Sequence, residues 1–221
     1  MFDIDKLIIR EATLDDVDFI ATTIIEAEKS GTDKNGTANY FGITLDEYRQ
    51  YLIQMLLEEV DGCEISISSF VIAEYEGKAV AARSGWMECK NEAEMPSALL
   101  KSNLFAYFLP KEILLRGEAK HEMIKDIEIP REEGTYQFEN AYTLPLYRGC
   151  HIMEKLDSYH IELAKQLNAK KIQRHVYQDN ERSLNACKRS GFQIVKRYTS
   201  MHPHIKDYYP DDTVVLMERY L

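Results

Sequence analysis

Apolar positions along the chain recur with two periods, and the order in which those periods alternate predicts a layered α/β domain. Residues 7–10 (LIIR) form a short β-prone run, and Thr13-Leu14-Asp15-Asp16 then starts a helix with acids placed for its first turn. Val17, Ile20, Ala21 and Ile24 continue that helix as its apolar stripe. Glycine and polar residues predict a loop over 30–42, after which Thr44 and Glu47 form a capping box ahead of Tyr48, Leu52, Met55 and Val60. Two β-prone runs, 70–75 and 78–86, flank Glu76-Gly77 and read as a hairpin, the second and third strands.

The second half is the more regular. Residues 138–144 are apolar enough for a buried strand, and Pro145 ends it by withholding a backbone donor. Ile152, Leu156, Tyr159, Leu163 and Leu167 then line one face of a long helix. A strand over 172–177 follows, and after it a short helix with Asn180 near its start, Leu184 and Cys187 on one face, and Gly191 as a left-handed cap. Runs 193–198 and 213–220 alternate as two closing strands, joined by a loop that holds His202 and His204. Pro203 between these histidines, with no carboxylate at a matching spacing, makes them loop residues rather than metal ligands.

Residues 87–134 separate the third and fourth strands at a length that requires structure of their own. Ser97, Leu99, Leu100, Leu104 and Phe108 predict one helix there, and Pro110 with Ile113, Leu114, Met123 and Ile124 a further helical stretch.

Composition narrows the class. The 221 residues suit one domain, 1–221, with a sizeable core. A net charge of −10 argues against nucleic acid as a partner. With no run near the ~18 apolar residues of a membrane span and no signal-peptide pattern at the start, the expected location is cytoplasmic, without membrane attachment. Cys63, Cys89, Cys150 and Cys187 are widely spaced and fit free thiols.

Chemistry concentrates between the 138–144 strand and the long helix. In Tyr147-Arg148-Gly149-Cys150-His151 the first free N–H groups of the helix point outward, a natural seat for phosphate, and Arg148 adds a fixed charge.

The order strand, P-x-Y-R-G turn, helix, strand, N-x-x-S-L-x-x-C-x-x-x-G-F over residues 137–192 resembles the core of the GNAT superfamily of acyl-CoA-dependent N-acyltransferases. The resemblance is strong over about a quarter of the chain, and the I-R-E-A-T-L-D-D opening extends it weakly. It implies a mixed, mostly antiparallel sheet flanked by helices and split between the fourth and fifth strands, with 87–134 as a helical insertion. Acetyl-CoA would be the co-substrate, without a metal, and a primary amine of a small molecule or peptide the acceptor. The backbone of Ala141, Tyr142 and Thr143 would pair with the pantetheine arm, and the turn Arg148, Gly149, Cys150, His151, Ile152 and Met153 would wrap the pyrophosphate. Asn180, a local N-cap, would also bond the arm, with Ser183 beside it. For the amine proton the candidates are His175 and Glu139. For the departing thiolate the matching position is Cys187, with Tyr142, Tyr177, Tyr198 or solvent as substitutes.

Three departures stand out: His151 and Met153 occupy positions where the family carries small residues, and Cys187 one where many relatives carry tyrosine. They keep open a second reading, a GNAT-fold module that binds acyl-CoA without turnover. A third is an unrelated nucleotide-phosphate binder reusing the same geometry. The insertion reads either as a lid or wall over the acceptor end, or as a packing layer or homodimer contact. Tyr40, Phe41 and Tyr48 belong either to the acceptor wall or to the core.

Overall fold

A computed structural model describes residues 2–89 and 94–221. Seven strands form one sheet: β1 (Ile8–Glu11), β2 (Phe70–Tyr75), β3 (Lys78–Met87), β4 (Tyr136–Thr143), β5 (Lys171–Tyr177), β6 (Gln193–Thr199) and β7 (Thr213–Tyr220). Their spatial order is β1-β2-β3-β4-β5-β7-β6. Among the described residues only β4 and β5 run parallel; the other neighbours are antiparallel. At the β2–β3 turn Glu76 and Gly77 both take positive φ, which matches the strand twist.

Helices cover both faces. On one lie α1 (Val17–Glu28), α2 (Gly36–Phe41) and α3 (Leu45–Leu56), with α4 (Ser97–Phe108) and α5 (Lys111–Glu118) from the segment between β3 and β4. Ile20, Ile24, Leu52, Met55, Ile72, Leu104 and Ile113 share their core. That segment adds a short α6 (His121–Ile124), whose Met123 and Ile124 pack on Ile205 of α9 (Ile205–Tyr208). The opposite face carries α7 (Ile152–Gln166) and α8 (Glu181–Arg189), over Phe138, Ile172, Val176 and Val215. Among the described residues no helix is long and apolar enough to cross a membrane.

Several elements differ from the expected ones for local reasons. The predicted loop 30–42 contains α2, because Asn35 caps it through the Ala38 N–H and Gly36 lets Tyr209 close in, where a Cβ would stand 2.6 Å from the ring. The closing loop holds α9, and His204 there meets Asp207 at 2.9 Å. In α4, Leu104 and Phe105 are buried while Leu99 is exposed, so the stripe is turned from the predicted one. Phe41 and Tyr48 are core residues, and Tyr40 packs partly buried against them.

The stripe of α7 also includes polar groups that periodicity cannot reveal. Ile152, Leu156, Ile161 and Ala164 are buried together with Asp157 and His160, whereas Tyr159, Leu163 and Leu167 are only partly covered. His160 donates from Nε2 to the Arg83 carbonyl at 3.1 Å and accepts the Tyr136 hydroxyl at Nδ1 at 2.8 Å. Burial, with Arg83 nearby, pulls its pKa down to about 3. The unfolded chain therefore binds a proton here below about 6.5 that the folded protein refuses until about 3, so stability is lost as pH falls through that window. The expected result is a melting temperature that declines from pH 7 to pH 4 less steeply in His160→Gln than in the parent, checked by calorimetry across pH.

Candidate active site

The sheet opens between β4 and β5. Their parallel pairing covers only Tyr136↔Ile172, Gln137↔Gln173 and Phe138↔Arg174. Beyond it β4 stays with β3 as far as Thr143↔Ala81, and β5 stays with β7 as far as Tyr177↔Val214. The cause is a bulge: Gly85 faces Phe138 and Arg83 faces Ala141, so β4 fits an extra residue at Glu139-Asn140 and bends away from β5. Gly85 permits the crowding there, since a Cβ would meet the Tyr136 ring at 2.7 Å. Among the described residues the facing edges of Glu139–Thr143 and His175–Tyr177 thus lack ladder partners, and an extended amide-bearing ligand can pair with such edges.

The turn leading into α7 lies at the end of β4. Gly149 and His151 both have positive φ, 80° and 57°, so the backbone keeps a glycine-type path even where the side chain is His. Cys150 and Met153 pack into the apolar cluster with Val71, Val80 and Leu156, and Ile152 is 2% exposed. Their side chains are thereby turned away from the outer face of the turn, and the imidazole of His151 reaches outward to Glu154 at 3.1 Å. Among the described residues, no hydrogen bond outside the helices and strands uses the N–H of Gly149, Cys150 or His151. Arg148 is exposed beside them, its Nε donating to the Thr143 carbonyl at 3.2 Å and its guanidinium 5.8 Å from the Tyr142 ring centre.

On the α1–α3–α4 face the split is bridged by side chains. His175 Nδ1 and Glu139 Oε1 are 2.9 Å apart, and a carboxylate can only accept, so Nδ1 carries the proton. Nε2 is buried without a hydrogen-bond partner among the described residues. Arg131, from the stretch before β4, donates through Nη2 to the same Glu139 oxygen at 3.2 Å and to Glu64 at 3.1 Å. Lys101 of α4 reaches Glu64 at 3.0 Å, and Ser97 accepts from Arg131 at 2.9 Å. Burial alone would raise Glu139, but His175 and Arg131 together hold it below the usual carboxylate range.

The remaining predicted residues are less open. Asn180 caps α8 by accepting from Ser183 at 3.1 Å and donates to Ser30 at 2.7 Å, while Ser183 Oγ accepts from Arg174 at 3.3 Å. Cys187 is 1% exposed in the core with Phe138, Phe192 and Val215, where its thiol packs as a small apolar group. Arg131, Glu64 and Lys101 lie far apart in sequence, and no periodic or motif signal joins them; nor does any for Arg83, which is 1% exposed and pairs with Asp157 at 2.5 Å. Among the described residues no group of three or more His, Cys, Asp or Glu side chains could hold a metal ion.

No family model matches the sequence, and no curated protein matches it. Solved structures do match over nearly the whole chain. An N-acetyltransferase from Staphylococcus aureus Mu50 superposes with a TM-score of 0.67 at 16% identity, covering 96% of this chain and 99% of that one. Ribosomal-protein-alanine N-acetyltransferase from Brucella melitensis gives 0.55 at 16%, covering 97% and 99%. PaiA N-acetyltransferase from Thermoplasma acidophilum, in complex with coenzyme A, gives 0.52 at 13%, covering 97% and 99%. The chain therefore has the GNAT acetyltransferase fold, a mixed α/β sheet flanked by helices.

Proposed function

We propose that this protein is an N-acetyltransferase that moves the acetyl group of acetyl-CoA to a primary amine of a small molecule or peptide. The observation that carries this reading is the Glu139–His175 pair at the mouth of the β4–β5 split, on the sheet face opposite the α7 turn. A donor thioester enters from the turn, and an amine meets it from the side of His175. The unpaired edge at Ala141, Tyr142 and Thr143 holds the pantetheine arm, with Asn180 and Ser183 at the far wall. The N–H groups of Gly149 to Met153, at the positive end of α7, take the pyrophosphate, and Arg148 adds charge.

The cleft fixes the thioester carbonyl beside the amine. His175 takes the amine proton at Nε2, and Glu139 holds the imidazole in the tautomer that leaves Nε2 free. The departing thiolate, with an ordinary thiol pKa of ~8.5, takes its proton from water. The buried thiol at Cys187 favours a second reading, binding without turnover, since no phenol stands at that position.

Calorimetry with acetyl-CoA and thiol release over a panel of amines separate the two readings. The expected outcome is saturable binding and amine-dependent thiol release, with Arg148→Glu weakening binding by about 10- to 100-fold. Binding with no release across polyamines, amino acids, aminoglycosides and peptides would favour the second reading. An unaffected affinity in Arg148→Glu would refute the placement of the pyrophosphate.

A further inference from the structure

Two donors converge on one oxygen, and that convergence gives the stretch before β4 a part in the chemistry. Glu139 Oε1 accepts from His175 Nδ1 at 2.9 Å and from Arg131 Nη2 at 3.2 Å. A protonated imidazole would place a second full cation against the oxygen that already neutralises Arg131. The arginine is fixed where it stands: Glu64 and Ser97 accept from it, and its guanidinium lies 4.9 Å from the Trp86 ring centre. Ser97 in turn donates to Glu88, which also accepts from Trp86 Nε1 at 3.0 Å.

We propose that Arg131 is a positioning residue for His175: its fixed guanidinium orients Glu139 and weakens that carboxylate's pull on an imidazolium, with Nδ1 held on Glu139 and Nε2 left without a partner. The proposal rests on reading His175 as the base. Among the described residues, the charged and titratable groups that act on Glu139 or Arg131 include Glu64 ahead of β2, Glu88 after β3, Lys101 from α4 and Tyr177 on β5, with Glu28 from α1 and Tyr48 from α3 behind them. Glu28 is engaged by Asn35, Thr37 and Tyr48, and Lys101 is engaged by Glu64. Among the described residues Arg131 is thus the cation hydrogen-bonded to the carboxylate that holds His175, and it stands in the stretch before β4 rather than on the strands themselves. Through Ser97, Lys101 and Arg131, the described part of the β3–β4 connection acts as a wall of the site, not as a detached packing layer.

The test is the titration of His175, followed by NMR of the imidazole in the full-length protein without substrate. Arg131→Gln is expected to raise its midpoint by about one unit or more, because a cation is removed and Glu139 is left to favour the imidazolium. Glu64→Gln is expected to lower it, because a nearby carboxylate is lost and Arg131 turns wholly to Glu139. Arg131→Lys keeps the charge and is expected to stay near the parent. In turnover, Arg131→Gln should lose kcat at neutral pH, recover it as pH is raised, and keep its KM for acetyl-CoA.

No upward shift in folded Arg131→Gln, or an upward shift in Glu64→Gln, would overturn the proposal. Should Arg131→Gln show no cooperative melting, the Glu64→Gln and Arg131→Lys titrations decide by the same signs. The expected shifts in a protein that transfers no acetyl group would support the role of Arg131 and contradict the proposed function, so the two fail separately.

Discussion

His175→Ala is expected to lower kcat for acetyl transfer by about 100- to 10,000-fold while leaving the affinity for acetyl-CoA close to that of the parent. At about 1.4 kcal/mol for each factor of ten, the loss amounts to roughly 3–6 kcal/mol of transition-state stabilisation. The selectivity for kcat follows from position. His175 reaches the split from the α1–α3–α4 face through its contact with Glu139, whereas Cys150, Ile152 and Met153 of the α7 turn pack on the other face. Glu139→Gln should lose less, because its amide oxygen can still accept from Nδ1 but no longer opposes the charge that the imidazole gains. Stopped-flow thiol release at saturating amine reads both variants. If His175→Ala kept its kcat within about threefold of the parent, against the usual contribution of a general base, the base would have to be sought elsewhere.

Asp157→Ala is expected to destabilise the fold by about 3–5 kcal/mol, because it leaves Arg83 charged and unpaired in the core. Arg83 is 1% exposed, stacks 4.8 Å above the Phe138 ring centre, and meets Asp157 at 2.5 Å. Burial pulls its pKa down to about 10, against the opposing effect of Asp157, yet at neutral pH it still carries its proton. The loss is a large share of the total stability, roughly 5–15 kcal/mol for an ordinary domain. The double variant Arg83→Met, Asp157→Leu should recover most of the loss, since an apolar pair of similar size costs no desolvation of charge. Urea denaturation of the single and double variants completes the cycle. A cost below about 1 kcal/mol for Asp157→Ala would mean that the pair is solvated in solution, as surface pairs are.

Much of the architecture was legible because it follows from period and punctuation. The β2–β3 hairpin was signalled by Glu76-Gly77, α3 by its Thr44–Glu47 box, and the end of α8 by Gly191, which takes φ of 84°. The two helices inside predicted loops were missed because their ends are fixed by distant contacts. Tyr209 closes on Gly36, and Ile205 packs on Met123 and Ile124. At the site, the sequence supplied His175 and Glu139 as separate candidates. Their pairing depends on the bulge opposite Ser84, and a bulge depends on register between strands about fifty residues apart. Arg131 could not be found from sequence, because a single arginine after a helical stretch reads as a solvated charge until Glu64 and Glu139 are brought to it. The departures at His151 and Met153 weigh less once backbone is distinguished from side chain. His151 holds the positive φ that a glycine would supply, and Met153 turns into the apolar cluster.

Under the proposed function the split between β4 and β5 holds an acyl-CoA thioester, with the α7 turn at its phosphate end. Amide hydrogen exchange with and without acetyl-CoA tests it at the residues themselves. New protection is expected over 139–143 and 149–153, with the helices α1 and α3 little changed. Protection confined to other parts of the sheet, or none at saturating acetyl-CoA, would contradict it.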